Sequence, residues 1–208
     1  SVGSEESVQS LATKGSYTTK IPKGVSDKGA LILRAAYTDK GANGISPATT
    51  EKVLTLTSPD FSASIADNID GVQKFRIPSP KMDIMIGSRD KAYMGYNHVD
   101  LTGITQATCM VFAPENLLNA AGGSIEVRID APEGPVIGQS KFIAPVKGND
   151  PMPAPIITPI KFTPTKGFHD VYFIFKNEKA AAGQSLFIIS NIKFESDGKA
   201  LTDALTMK

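Results

Sequence analysis

Residues 124–130, SIEVRID, decide the fold class of this 208-residue chain. Ile125, Val127 and Ile129 alternate with three charged residues. A β-strand therefore buries the β-branched side chains on one face and leaves the charges on the other, because successive side chains point to opposite faces. A half-buried strand with one solvated face is typical of an antiparallel sheet.

The rest of the chain has the same character. Eighteen Gly and fourteen Pro divide it into short segments rich in Val, Ile, Phe, Tyr and Thr, which predict strands over 30–37, 52–56, 93–96, 170–175 and 186–194. The clearest helical signal is short and covers residues 114–121, between a proline and Gly122-Gly123. Alternating β and α units and phosphate-binding glycine motifs are absent from the sequence, so we expect an all-β fold of the sandwich type.

Charge and hydropathy exclude two classes of partner. The chain has 22 Lys+Arg against 21 Asp+Glu, for a formal net charge of +1, and no run of like charges. This balance gives no field that would attract nucleic acid or anionic lipid. The apolar stretches, such as residues 187–189, are only a few residues long, far shorter than the ~20 residues needed to cross a bilayer. We therefore expect no nucleic-acid partner and no membrane span.

Residues that could carry catalysis or bind metal are few. The single Cys109 lies in an apolar run, 107–112, which predicts a buried core position. The alternative, a catalytic thiol, needs a nearby imidazole, and His98 and His169 lie on other segments. The spacings HxxxH, CxxC and GxSxG are missing, and Ser88 is expected in a turn. We expect no catalytic residue, no metal and no cofactor.

The charged face of the 124–130 strand contains two carboxyl groups that could be considered as a catalytic pair. Glu126 and Asp130 lie four residues apart on one face, about 13 Å along a strand, which is too far for the carboxyl pair of a glycosidase. With Arg128 between them they form a charge ladder. This ladder is either a solvated, ion-paired surface or a polar face that contacts sugar.

Three motifs between residues 61 and 194 resemble carbohydrate-binding module family 6. Residues 122–138, GGSIEVRIDAPEGPVIG, are similar to the family pattern GG-[ST]-IEVRLDSP-x-GP-x-[IL]G. Residues 167–176, GFHDVYFIFK, and 92–101, AYMGYNHVDL, resemble two further family strands. The resemblance implies a jelly-roll β-sandwich of the galactose-binding-like kind, and a non-catalytic module that binds poly- or oligosaccharide.

Composition, strand patterns and the resemblance together predict how the chain is organised. We expect an N-terminal arm or linker over residues 1–29, a β-hairpin extension over 30–57, the family 6-like sandwich over 58–196 and a C-terminal tail over 197–208. Within the extension, we expect residues 31–37 to pair with 53–56, beside the main body. In the sandwich, we expect the proline-rich residues 147–155 to form a surface loop. Since such modules are accessory domains of larger bacterial proteins, we expect a secreted or periplasmic location and an upstream domain or protein partner.

This sequence departs from the family where the family binds calcium. The family's first strand carries an EAE triplet, and Ser62-Ala63-Ser64 stand in its place. In the last strand, the family's sugar-binding Asn is replaced by Ile188 and its metal-assisting Asp by Ser190. Calcium prefers six to eight oxygen ligands with carboxylates among them. We therefore expect no calcium at this position.

The family's sugar cleft is also altered. The two turns that supply its stacking aromatics correspond to residues 86–88 and 152–157, which contain no aromatic residue, and the chain has no Trp. The candidates that remain are Arg89 and Asp90, which could hydrogen-bond to sugar hydroxyls, and Tyr93 or Tyr96. Because these tyrosines are three residues apart on a strand, they point to opposite faces, and Tyr96 could give a stacking face. The alternative is that all four are ordinary turn and core residues.

Three functions follow from these patterns. The first is a non-catalytic carbohydrate-binding module with a degenerate cleft. The second is a structural or protein-interaction β-sandwich that has lost sugar binding, and the third is a hydrolase. A concave site with a tyrosine and several polar groups favours the first function, whereas a flat apolar patch favours the second.

Overall fold

In a computed structural model of the chain, the structure describes residues 30–42, 44–78, 81–148, 150 and 153–196. The predicted arm 1–29 and tail 197–208 lie outside these residues, as does part of the predicted loop 147–155. The chain divides between Ser58 and Pro59 into two compact units.

The first unit contains a two-stranded antiparallel sheet. Strand β1 (Ala30–Thr38) pairs with β2 (Thr49–Thr57). Arg34 donates two hydrogen bonds, of 2.5 and 2.8 Å, to the carboxylate of Glu51, and these bonds lower the pKa of Glu51. The predicted pairing of residues 31–37 with 53–56 is confirmed, while packing beside the main body stays a prediction.

The second unit contains two antiparallel sheets. The first sheet consists, in spatial order, of β10 (Val136–Gln139), β9 (Ser124–Ile129), β12 (Phe168–Lys176), β7 (Tyr93–Asp100) and β4 (Asn68–Asp70). The second sheet consists of β11 (Ile156–Lys161), β8 (Ile104–Phe112), β13 (Ile188–Ser196), β6 (Met82–Gly87) and β5 (Val72–Ile77), with β3 (Asp60–Ser62) paired to β13. We call them the five-stranded and the six-stranded sheet.

The core lies between the two sheets. Strand β12 contributes Val171, Phe173 and Phe175, each fully buried, and the six-stranded sheet contributes Val111 and Ile189. Strands β8, β9 and β12 reach the core with every second residue, as the strand period requires. The predicted all-β sandwich is therefore confirmed. Cys109 is fully buried in this core as predicted, and burial raises the pKa of its thiol to about 12.

Two local features differ from the sequence expectation. The predicted helix over 114–121 is the single turn α1 (Glu115–Leu118), which ends at Asn119 in the left-handed conformation with φ 50°. The predicted strand 124–130 ends one residue early, because Asp130 also turns into the left-handed region, with φ 68°. Asparagine and aspartate tolerate this conformation better than most residues do.

Candidate functional site

A groove of about 430 Å³ lies on the outer face of the five-stranded sheet. We call it the sheet groove. Its lining comes from four strands and from the loops that follow β6 and β9: Asp70, Arg89, Lys91, Tyr93, Glu126, Arg128, Pro132, Glu133, Ile174 and Lys176. Ligand sites in proteins are concave surfaces of this size, about 300–1,000 Å³.

Strand alternation decides which side chains reach the groove. On β9, Ile125 and Val127 are fully buried between the sheets, and Glu126 and Arg128 therefore face outward. On β7, Met94 and Tyr96 are buried in the core, so that Tyr93 lies on the outer face.

The floor of the groove is aromatic and aliphatic. Tyr93 pairs in register with Ile174 of β12, and its ring meets the ring of Tyr172 edge to face, with centroids 5.7 Å apart. Tyr172 lies over Gly95, where an added Cβ would stand 2.7 Å from the Tyr172 ring. Glycine at this position therefore lets the ring lie against the sheet. Burial raises the pKa of Tyr172.

One wall of the groove contains an ion pair on β9. Arg128 donates from Nε and Nη2 to Oε2 of Glu126, at 2.9 and 2.7 Å, and from Nη1 to the carbonyl of Gly134, at 3.1 Å. Both side chains are largely buried for charged residues, with 25% and 14% of their surface exposed. The wall continues into loop 130–135, which supplies Pro132 and Glu133.

The opposite wall contains a second ion pair, between Arg89 and Asp70. The guanidinium lies over Gly71, because a Cβ there would come within 2.8 Å of Arg89 Nε. Gly71 also has φ 60°, which glycine adopts without strain. Close by, Lys91 has φ 61°, and its N–H donates to the carbonyl of Phe175 at 2.8 Å. The loop after β6 is thereby fixed to β12.

This arrangement suits a polyhydroxylated ligand. A sugar hydroxyl both donates and accepts hydrogen bonds, and each ion pair offers a guanidinium donor next to a carboxylate acceptor. The face of a tyrosine ring can pack against the C–H groups of a sugar ring. Cations and carboxylates alternate along the walls, so the groove has no dominant sign of charge.

The structure separates the four predicted site residues. Arg89 and Tyr93 line the groove. Asp90 lies outside its lining and accepts a 2.8 Å hydrogen bond from the N–H of Asn177, with Lys176 Nζ 3.8 Å away. Asp90 therefore holds the end of β12 in place.

Tyr96 is in the core, and the stacking role predicted for it is wrong. Only 4% of the residue is exposed, its hydroxyl donates to the carbonyl of Ala63 at 2.8 Å, and its ring packs edge to face on Phe173. Burial raises the pKa of its hydroxyl. The prediction that Tyr93 and Tyr96 point to opposite faces is confirmed.

The predicted charge ladder is correct for two of its three members. Glu126 and Arg128 form an ion pair, and this pair lies in the groove wall, so the two interpretations of the ladder are compatible. Asp130 does not belong to the ladder, since it has left the strand and its Oδ1 lies 2.9 Å from Nδ1 of His169. Strand periodicity could not predict that turn.

Sequence reasoning missed five of the lining residues: Asp70, Pro132, Glu133, Ile174 and Lys176. Asp70 lies opposite Tyr93 because β4 pairs with β7, a contact between segments more than twenty residues apart. No spacing rule predicts it. The outward position of Ile174 and Lys176 could have been read from the alternation of residues 171–176, which places every second residue on the outer face.

The positions that correspond to the family's calcium and cleft residues have other side chains in this chain, and these side chains make contacts within the protein. Ser62 and Ser64 are hydrogen-bonded to each other at 2.9 Å, and the buried Ser190 donates to the carbonyl of Met110 at 3.4 Å. Gly87 packs against the ring of Phe175, where a Cβ would stand 2.3 Å from a ring carbon. Within the described residues no group of three His, Cys, Asp or Glu side chains could hold a metal ion. The expected absence of calcium stays a prediction.

The outer face of the six-stranded sheet is apolar at one end. Ile84, Phe112 and Ile188 form a cluster there, covered in part by Ile77, Met82, Ile86, Met110 and Leu118. Phe75, opposite Ile84, and Ile157, opposite Met110, extend it and are each 58% exposed. We call this surface the apolar face. At the other end of the same sheet, a wider and shallower depression of about 490 Å³ includes Gln106 and Glu195, and its lining contains no tyrosine.

No helix among the described residues is long and apolar enough to cross a membrane.

A scan against models of known protein families and a search of curated proteins found no match. Solved structures give clear similarities. A family 6 carbohydrate-binding module from Clostridium cellulolyticum, solved with xylose, has 23% identity and a TM-score of 0.54 and covers 66% of this chain and 96% of its own.

Two further solved structures are similar to this chain. A β-1,3-glucan-binding family 6 module from Bacillus halodurans has 19% identity and a TM-score of 0.54, over 66% of this chain and 95% of its own. A glycoside hydrolase family 43 arabinoxylan arabinofuranohydrolase from Bacillus subtilis, solved with cellotetraose, has 17% identity and a TM-score of 0.54, over 74% of this chain and 30% of its own. At these identities the similarity shows the fold.

Proposed function

We propose that this chain, whose fold is that of family 6 carbohydrate-binding modules, is a non-catalytic module that binds carbohydrate in the sheet groove. The observation that carries the proposal is the groove itself, in which a tyrosine ring lies between two walls that each contain an ion pair. The two family 6 modules above are described as binding xylose and β-1,3-glucan. Xylan and β-1,3-glucan are therefore the first ligands to test.

The proposal includes a degenerate cleft at the positions where the family stacks sugar. Gly87 is buried against Phe175, and Ile86 and Ser88 beside it offer no aromatic surface. Affinity then depends on Tyr93 and on the polar walls of the sheet groove. Aromatic contacts are worth about 0.5–1.5 kcal/mol each beyond the area they bury, so a site with one accessible ring is expected to bind weakly.

We further propose that the chain is an accessory part of a larger secreted or periplasmic bacterial protein. The similarity to the arabinofuranohydrolase supports this, because the matching region is only 30% of that longer enzyme. An accessory module increases the time that a tethered enzyme spends near its polymer, by raising its effective concentration there.

Affinity electrophoresis of the full chain tests the sugar site. Gels containing xylan or β-1,3-glucan are expected to retard the wild-type chain, and Tyr93→Ala is expected to weaken retardation by about tenfold, the upper range of a lost aromatic contact. Tyr37→Ala is the matched control, since Tyr37 is an exposed tyrosine on β1 of the first unit. Equal retardation of both variants, or none on any polysaccharide, contradicts the proposal.

A second candidate function is a protein-interaction sandwich, and the apolar face favours it. Exposed apolar surface that is contiguous marks interaction sites more often than scattered apolar residues do. Phe75→Ser and Ile157→Ser remove its most exposed members without touching the sheet groove. If these variants change the sedimentation or solubility of the chain while sugar retardation is unchanged, the apolar face acts independently of sugar binding.

A further inference from the structure

His169 lies between two hydrogen-bond acceptors. Its Nδ1 is 2.9 Å from Oδ1 of Asp130, and its Nε2 is 3.1 Å from the carbonyl oxygen of Lys166. A neutral imidazole carries one N–H and can donate to only one of these oxygens, whereas an imidazolium donates to both. The geometry is therefore satisfied completely only by the protonated ring.

Asp130 begins the loop that continues one groove wall beyond β9. It follows β9 in the left-handed conformation, and its N–H donates to the carbonyl of Asp170 at 2.7 Å. The loop then closes on itself through a 2.9 Å bond from the N–H of Gly134 to the carbonyl of Ala131. Pro132 and Glu133 at the tip of this loop line the sheet groove.

We propose that His169 is a positioning residue for the sheet groove: its protonated ring holds the Asp130 side chain and thereby fixes loop 130–135 as the groove wall. The inference rests on the proposed function, because it concerns the same site. It gives a role to the histidine of the sequence motif at residues 167–176, which is not itself one of the lining residues.

The charges around His169 favour the imidazolium. Asp130 faces it from the end of β9, Asp170 follows it on β12, and Lys166 precedes it; on the neighbouring strand β7 the nearby ionisable residues are His98 and Asp100. Carboxylates thus outnumber the single lysine. The hydrogen bond to Asp130 is the largest cause of a raised pKa for His169. Asp170 is already engaged, since its Oδ1 accepts from the N–H of His98 at 2.9 Å.

The raised pKa of His169 determines how sugar affinity is expected to change with pH. A histidine whose pKa is raised by its folded surroundings contributes fully below its ordinary pKa, about 6.5, and loses that contribution as pH rises through the raised value. Sugar affinity is therefore expected to be highest near pH 6 and to fall at alkaline pH. An exposed ion pair of this kind supports a change of about two- to fivefold.

Affinity of the full chain for β-1,3-glucan and xylan, measured at about pH 6, 7.5 and 9, tests the inference. The chain has two histidines, so His98→Gln is the matched control for His169→Gln. The wild-type chain and His98→Gln are expected to bind more weakly at pH 9 than at pH 6, and His169→Gln is expected to bind weakly and equally at both. Equal wild-type affinity at all three values, or loss of the pH effect in His98→Gln, overturns the inference.

A measurement without ligand separates this inference from the proposed function. Hydrogen exchange at the amides of Ala131, Glu133 and Gly134, corrected for the intrinsic dependence of exchange on pH, reports the order of the loop. Protection is expected to fall between pH 6 and 9 in the wild-type chain, and to be low throughout in His169→Gln and Asp130→Asn. If neither polysaccharide binds at any pH, the proposed function fails, and exchange still decides the role of His169: pH-independent protection in the wild-type chain contradicts it.

Discussion

Tyr93 and Tyr96 occupy the same strand three residues apart, and this odd spacing gives them different environments. The alternation of side chains between the two faces of a strand could be predicted from sequence, and it correctly placed the two rings on opposite faces. Alternation alone does not say which of the two faces is turned to the core. That choice depends on the buried partners of β7, such as Phe173 on β12, which come from a distant segment.

The core position of Tyr96 predicts a stability effect without a binding effect. Tyr96→Phe removes the hydroxyl that donates to the carbonyl of Ala63 and is expected to lower the free energy of unfolding by about 1 kcal/mol, because that carbonyl keeps the 3.4 Å bond from the N–H of Ala66 but loses the shorter bond. Urea unfolding measures the change, and affinity for polysaccharide should stay at the wild-type value. Loss of sugar binding at unchanged stability would indicate that the hydroxyl contacts the ligand and would contradict the core position of Tyr96.

Cys109 gives a second prediction at this scale. Because burial raises the pKa of its thiol to about 12, the folded protein disfavours the thiolate, and the stability this represents is lost as pH rises above the ordinary thiol pKa of about 8.5. The thiol is expected to react with a disulfide reagent at pH 8 only as fast as the chain unfolds, and urea unfolding at pH 10 should show lower stability than at pH 7. Rapid labelling of the native chain would contradict this environment.

At the scale of elements, the groove floor depends on the contact between β7 and β12. Gly95 of β7 lies beneath the ring of Tyr172, and the two residues pair in register. The sequence predicted both strands, since each has the alternation of a half-buried strand. It could not predict their pairing, or that β4 would bring Asp70 beside Tyr93, because those contacts join separate parts of the chain.

Gly95→Ala tests the floor. Its Cβ would stand 2.7 Å from the Tyr172 ring, so this ring, which contacts the ring of Tyr93, must move, and overpacking of this kind costs about 1–3 kcal/mol of stability. Weaker sugar binding is expected together with a lower unfolding midpoint in urea. Gln139→Ala, an exposed change on β10 of the same sheet, serves as the control and should alter neither quantity by more than about 0.5 kcal/mol. Wild-type affinity in Gly95→Ala would show that Tyr172 does not support the groove.

For the molecule as a whole, composition predicted the fold class better than it predicted the site. Glycine and proline punctuation together with β-branched strands indicated a sandwich, and the motif over residues 122–138 indicated its kind. The site was predicted only in part, since Arg89 and Tyr93 line the groove while Asp90 and Tyr96 serve the structure. Whether a polar turn residue anchors the backbone or faces a ligand depends on the partner that the fold brings to it, as Asn177 is brought to Asp90.

The division at Ser58 and Pro59 leads to a prediction about folding. Residues 59–208 contain both sheets and the buried core, so this fragment is expected to unfold cooperatively in urea and to retain the polysaccharide affinity of the full chain. A two-stranded hairpin alone is marginally stable in water, so residues 1–58 are not expected to supply that cooperativity. A fragment 59–208 that fails to fold would show that the first unit completes the sandwich.

An NMR titration of the isotope-labelled full chain with xylan and β-1,3-glucan oligosaccharides locates the surface that sugar occupies. If sugar binds on the outer face of the five-stranded sheet, the amide signals that shift belong to Tyr93, Glu126, Arg128 and Ile174 and to the non-proline residues of loop 130–135. Shifts confined to the apolar face or to residues 86–88 and 153–157, or no shifts at saturating sugar, would contradict it.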